Sequence, residues 1–376
     1  MSKIENYLTK CVDEGKIPGG DYLVMQDHKP LLRVTVGYAD MEHTAPLPKD
    51  AAYYIYSCTK PVTAAAAMQL IENGKLSLDD KVSRYLPEFA DCTARRDGTT
   101  VPAGDLLTVR HLLTMTGGFD YDLMRPNVRE LIAENPEATT REIVRALAAR
   151  PLCFLPGEQY QYSLCHDVLG AVIEEASGMR FGAYLEERLF RPLGMTHTHF
   201  AKNAEAEDDP RLLPLYCCDA SFAITREAGN GYVPTSRYES GGAGLISTVE
   251  DYAKFTDAMA CRGVGADGTR ILKAETVDLL RTEQLSRIRP GGTAVFGGEP
   301  EIGYGYALGV RTLIEKKNGI RSHLGEFGWG GAAGGYLLID PEVRLSIVYF
   351  QHVLNHTGKL DICTPLRDWT YEELGL

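Results

Sequence analysis

Ser57-Cys58-Thr59-Lys60, followed by Pro61 and the run Val62-Thr63-Ala64-Ala65-Ala66-Ala67-Met68-Gln69-Leu70-Ile71, sets a hydroxyl and an amine three residues apart where a helix begins. Residues i and i+3 of a helix share a face, with Cβ atoms roughly 5–6 Å apart, so the Lys60 amine reaches the Ser57 hydroxyl unaided. Burial beside a helix N-terminus disfavours a cation, and a neutral amine there can take the serine proton. Pro61 fits, because first-turn amides have no intrahelical acceptor to lose. The plain alternative is an N-cap serine followed by a solvated lysine. The flanks favour the chemical reading. Tyr53-Tyr54-Ile55-Tyr56 is an apolar, aromatic lead-in, and a helix apolar nearly all round belongs in a core.

With 376 residues, 44% of them hydrophobic and 24% charged, the chain has the length for two lobes and the composition of a soluble globular protein. Its net charge of -12, with no Lys/Arg-rich run, argues against nucleic acid as a partner. No apolar stretch approaches the roughly 18 residues of a membrane span. The start, Met1-Ser2-Lys3-Ile4-Glu5-Asn6, leads into an amphipathic helix without a hydrophobic signal region, so a cytoplasmic location is expected. The nine cysteines are odd in number and follow no metal-ligand spacing. They read as small buried hydrophobes, with Cys58 and Cys165 near the proposed site. His166 reads as a cap or surface residue at a helix start, and neither it nor His197 and His199 is assigned a metal.

Strand patterns occupy both ends of the chain. Residues 21–38 read as a hairpin about Asp27-His28-Lys29-Pro30. Further strands are predicted at Tyr306–Leu313, Gly335–Asp340 and Leu345–Gln351, and a closing helix from Cys363 to Leu374. Helical segments fill most of 60–240. The economical fold is α/β (α+β): an antiparallel sheet lobe from 1–59 and 241–376, flanked by terminal helices, with an all-helical lobe, 60–240, inserted and the site between them. Ala204–Pro210 and Arg289–Pro300 read as loops.

A second chemical element is expected across from Ser57. Pro156-Gly157 turns the chain into an extended piece, Glu158 to Ser163, in which the side chains of Tyr160 and Tyr162 point the same way. A tyrosine there can share a proton with Lys60, provided a nearby cation lowers its pKa. The alternative is a pair of core tyrosines with satisfied hydroxyls.

Taken together, Ser57-x-x-Lys60, Tyr162-Ser163 beyond Pro156-Gly157, Pro192-Leu193-Gly194-Met195, Leu112-Leu113-Thr114 and Gly241-Gly242-Ala243-Gly244-Leu245 with Asp251 resemble the class C β-lactamase-type serine hydrolases, which share the penicillin-binding-protein-like fold. The likeness runs in order from about residue 15 to 355. It implies an acyl-enzyme on Ser57, with Lys60 and Tyr162 as base and proton shuttle and no metal or organic cofactor.

Departures from the lactamase pattern bear on the substrate. Leu164 stands where these lactamases carry an Asn that bonds the acylamino group of a β-lactam, and Trp329-Gly330-Gly331 replaces a Lys-Thr-Gly strand. Both are similar to the carboxylesterase branch of the fold. Losing the strand lysine favours neutral substrates, with Leu164, Trp329, Gly330 and Gly331 as substrate contacts. The backbone N–H groups of Ser57 and Ala332 are the oxyanion hole that the resemblance implies. His323-Leu324-Gly325 is an alternative third motif. The expectation is therefore a serine hydrolase acting on a small-molecule ester or amide, most simply a short-chain carboxylesterase. A D-amino-acid peptidase or weak β-lactamase, and a silent ligand-binding relative, are the alternatives. Oligomeric state is not legible.

Overall fold

Alternation of side chains builds the central sheet from both ends of the chain. The computed structural model describes residues 2–203, 207–286, 288, 295–296, 299–300, 303–317, 319–355 and 362–376. Gly19–Gln26 pairs with Lys29–Gly37. The turn residues Asp27 and His28 have φ of 49° and 67°, the left-handed backbone that matches strand twist in a tight hairpin. The seven strands run in the order Tyr304–Tyr306, Arg311–Leu313, Phe327–Gly328, Tyr336–Asp340, Leu345–Phe350, Gly19–Gln26, Lys29–Gly37, each antiparallel to its neighbour.

Because successive side chains point to opposite faces, Tyr22, Val24, Leu338 and Ile347 meet Ile4, Leu8 and Val12 of the helix Lys3–Asp13 and Leu366 and Tyr371 of the helix Cys363–Leu374. Leu23, Leu337, Ile339 and Val348 fall in a second core with Tyr252, Phe255 and Met259 of the helix Val249–Ala260. That core continues into the helices Thr59–Glu72 and Cys165–Ser177. This is the antiparallel sheet with flanking terminal helices that the sequence implied.

Two details differ from expectation. The single strand expected at Tyr306–Leu313 is a hairpin, because the chain turns back at Gly309, whose φ of 86° suits glycine. Residues 60–240 are also not all helical. Thr93–Arg96 pairs with Thr99–Pro102, and Leu215–Cys218 joins Ile224–Glu227 and Val353–Leu354 in a small sheet. Leu215 and Cys218 are buried while Thr225, Arg226 and Glu227 are exposed, which a two-sided ribbon accommodates and a core helix does not.

Of the two expected loops, residues 204–206, 289–294 and 297–298 lie outside the described residues. Residues 295–296 and 299–300 form a short antiparallel ribbon, and Glu207 accepts the Lys202 N–H at 2.9 Å. No helix among the described residues is long and apolar enough to cross a membrane.

Candidate active site

The strand Ala52–Tyr54 pairs with Leu245–Thr248, and the Ile55 N–H continues the ladder onto the Leu245 carbonyl at 3.0 Å. The chain then reverses sharply. Tyr56 has φ of 46°, a left-handed conformation that costs an aromatic residue about 1–3 kcal/mol. Ring contacts with Tyr54 and Tyr232, centroids 6.4 and 6.2 Å away, hold it there. One tight turn, Tyr56–Cys58, delivers Ser57 to the head of the helix Thr59–Glu72, whose residues Thr59 to Leu70 are all buried. Ser57 keeps 8% exposure and Lys60 none. A ligand can therefore touch the hydroxyl, while the amine is sealed behind it.

Lys60 Nζ lies 3.2 Å from Ser57 Oγ, 3.1 Å from the Tyr121 hydroxyl and 2.7 Å from the Gly242 carbonyl oxygen. Burial pulls its pKa down to about 7, against the opposing pull of the Asp167 carboxylate. Asp167, in the first turn of Cys165–Ser177, is itself buried. Its Oδ1 accepts the Tyr238 and Ser240 hydroxyls at 2.9 and 2.6 Å. A Cβ at residue 242 would lie 2.7 Å from Asp167 Oδ2 and 3.4 Å from Lys60 Nζ, so glycine is what lets the turn before the strand Leu245–Thr248 pass between the two groups. Burial raises the Asp167 pKa, with Ser240 and Lys60 opposing.

Tyr162 stands beside Lys60, its ring centroid 4.5 Å from Nζ. Its hydroxyl accepts the Trp329 Nε1–H at 3.2 Å. Tyr121 stacks on Tyr162, centroids 5.3 Å apart at 16°, and both phenols have the Ser57 hydroxyl as a hydrogen-bond neighbour. The expectation that a neighbouring cation lowers the Tyr162 pKa is corrected. Burial raises it, outweighing the Ser57 and Trp329 hydrogen bonds, and the buried amine at about pKa 7 is too nearly neutral to stabilise a phenolate. Tyr160 packs edge-on against Tyr306 at 5.2 Å.

Trp329-Gly330-Gly331 reaches the serine turn, whereas His323-Leu324-Gly325 does not. A Cβ on residue 331 would meet the Ile55 carbonyl oxygen at 2.5 Å and Cys58 Sγ at 3.4 Å. Ala332 follows at once, half-buried, packed against the core that holds Tyr56. His323 instead bonds Asp340 through its ring at 2.8 Å, and Leu324 is exposed. Trp329 is fully buried, against Tyr162 and Tyr306, so its indole meets the site through its N–H and not as an open wall. Leu164 is not brought to the serine turn. Its side chain lies in a satellite core with Leu123, Val128, Ile143, Leu147 and Tyr238, onto which Tyr121 packs.

His166 is corrected as well. It is wholly buried, and burial and Lys60 together push its pKa down to about 3, because the helix start that carries it faces the core. Tyr121 and Asp167 were not singled out from sequence. Their signals were the Gly117-Gly118 turn before an aromatic residue and an acid five residues past Tyr162.

A family model described as Beta-lactamase matches residues 4–365 of the chain. Protein Rv1367c of Mycobacterium tuberculosis is 31% identical over 363 residues, covering 92% of this chain and 88% of its own. Esterase EstB of Burkholderia gladioli is 28% identical, covering 98% of this chain and 95% of its own. Among solved structures, EstCE1, described as a hydrolase with promiscuous acyltransferase activity, matches with a TM-score of 0.78 at 27% identity over 98% of both chains.

Proposed function

Because the chain belongs to the beta-lactamase family of serine hydrolases, we propose that it is a carboxylesterase that cleaves neutral short-chain esters through an acyl-enzyme on Ser57, in a cleft between a sheet lobe (1–59 and 241–376) and a helical lobe (60–240). The observation that carries this reading is the buried Lys60 amine, with a pKa of about 7, 3.2 Å from the Ser57 hydroxyl. A neutral amine has two N–H groups and one lone pair. The Gly242 carbonyl takes one N–H, the Tyr121 oxygen can take the other, and the lone pair is left for the Ser57 proton.

In the reaction, Ser57 Oγ bonds to the ester carbonyl carbon as its proton passes to Lys60 Nζ. The N–H groups of Ser57 and Ala332 hold the oxyanion, a contribution worth about 3–4 kcal/mol per donor in other hydrolases. The intermediate collapses with cleavage of the carbon–alkoxide bond, and the leaving oxygen takes the proton from Lys60 through the Tyr162 or Tyr121 hydroxyl. Water then attacks the acyl carbon, with Lys60 as base, and restores Ser57. Tyr162 and Tyr121 remain neutral phenols throughout, relaying a proton without storing charge.

Ester over lactam rests on Trp329 and on the likeness to an esterase. The position read as a strand lysine in lactamases holds a buried indole already bonded to Tyr162. The likeness to EstB, an esterase by name, agrees. A panel of p-nitrophenyl acetate, butyrate and octanoate, run beside nitrocefin and a D-alanyl-D-alanine peptide, tests the reading. The expected result is ester hydrolysis abolished in Ser57→Ala, with nitrocefin turnover weaker by orders of magnitude. Nitrocefin or peptide hydrolysis at or above the butyrate kcat/KM overturns the ester preference, and inactivity throughout points to a ligand-binding relative.

A further inference from the structure

The hairpin turn at Asp27-His28 and the end of the helix Val249–Ala260 meet at a cluster that the serine chemistry leaves unused. His28, Asp257 and Cys261 each present a ligand atom, and these atoms lie within 4.8 Å of one another. Asp257 and Cys261 are four residues apart, one helical turn, so they share a face. His28 is brought to them by its left-handed backbone, φ 67°, and is fixed twice on the same carboxylate. Its N–H donates to Asp257 Oδ1 at 3.1 Å, and its ring Nδ1 lies 2.7 Å from Asp257 Oδ2. Asp257 is buried, while His28 and Cys261 are partly open to solvent, so an ion has a way in.

We propose that His28, Asp257 and Cys261 bind a divalent transition-metal ion of the zinc class, with a water molecule as fourth ligand. An imidazole, a carboxylate and a thiol are the donor set such ions select. The charges also close: a dication balances the Asp257 carboxylate and the Cys261 thiolate, and the thiol releases its proton to solvent on binding. Bonds of about 2.0–2.3 Å in a tetrahedron place ligand atoms about 3.3–3.8 Å apart. The His28–Asp257 contact therefore opens slightly from 2.7 Å, and Cys261 Sγ draws in. The neighbouring Asp27 is already paired with Arg344 at 2.7 Å and stays outside the set. The ion would tie the hairpin turn to the helix end, a clasp between segments more than 200 residues apart in sequence. This inference stands apart from the esterase reading, since it shares no residue with the Ser57 site.

Cobalt(II) is the probe. Tag-free, reduced, chelator-treated protein titrated with cobalt(II) is expected to bind one equivalent, with the visible bands of a tetrahedral ion and a thiolate-to-cobalt charge-transfer band in the near ultraviolet. The charge-transfer band should vanish in Cys261→Ser and affinity should fall about tenfold or more in His28→Ala. Cys217→Ser should retain both features, as should hydrolysis of p-nitrophenyl butyrate in His28→Ala. Absence of the charge-transfer band in the parent protein, or its survival in Cys261→Ser, overturns the proposal. So does unchanged cobalt affinity in His28→Ala, which also decides the matter should Cys261→Ser fail to fold.

Discussion

The indole N–H of Trp329 donates to the hydroxyl of Tyr162 at 3.2 Å, so the residue read from sequence as a substrate wall is instead a fixed support for a phenol beside the serine. The bond occupies one lone pair of the phenol oxygen and leaves its proton aimed elsewhere. Trp329→Phe keeps a ring in the buried slot and deletes the donor. It is expected to lower kcat for p-nitrophenyl butyrate about fivefold, for a bond worth on the order of 1 kcal/mol, with KM little changed. Steady-state kinetics check this, and a loss confined to KM would return the indole to a substrate-binding role.

Two stacked tyrosines, Tyr121 and Tyr162, both border Ser57 and Lys60. With both acting in one proton relay, Tyr121→Phe and Tyr162→Phe should each reduce kcat, by about a hundredfold for the one that meets the leaving group. The double variant should lose little beyond the worse single. Lys60 holds the Tyr121 oxygen directly at 3.1 Å, so Tyr121→Phe should also move the pH profile, which Tyr160→Phe should not.

The pH dependence follows from Lys60. With its pKa at about 7, kcat/KM for a neutral ester should rise through pH 7 and level off above, as the amine becomes free to accept a proton. The Asp167 carboxylate favours the ammonium form. Asp167→Asn should therefore lower the Lys60 pKa and move the rising limb to lower pH. A limb that stays in place in this variant, measured from pH 5 to 9, would remove Asp167 from the charge balance of the site.

The same burial makes Lys60 a stability liability. Its folded pKa lies below the ordinary value of 10.5, so between about pH 7 and 10.5 the unfolded chain holds more protons and stability rises with pH. Below pH 7 both states are charged and the full penalty applies. Lys60→Met, which fills the slot without a charge, should raise the melting temperature more at pH 6 than at pH 9. Calorimetry of both proteins at the two pH values tests the sign of that difference.

Sequence by itself determined the parts of this protein that local chemistry dictates. Ser57 and Lys60 are three residues apart at the head of an apolar helix, and helical geometry alone puts amine and hydroxyl on one face. The hairpin at Asp27-His28, the strands Tyr336–Asp340 and Leu345–Phe350 and the closing helix were legible because two-residue and helical periodicities survive any tertiary arrangement. What only the tertiary structure decided was every contact between segments distant in the chain. Tyr121 reaches Lys60 from 61 residues away, and Gly242 caps it from 182. Asp167 becomes an influence on the amine only because the turn between them carries no side chain at Gly242. Trp329 becomes a hydrogen-bond donor and not a wall because Tyr162 and Tyr306 close over its ring. Leu164 turned into its own small core because apolar partners at Leu123, Val128, Ile143 and Leu147 were there to receive it. Burial and long-range pairing set the charge states of such groups, and neither is written in any local pattern of residues.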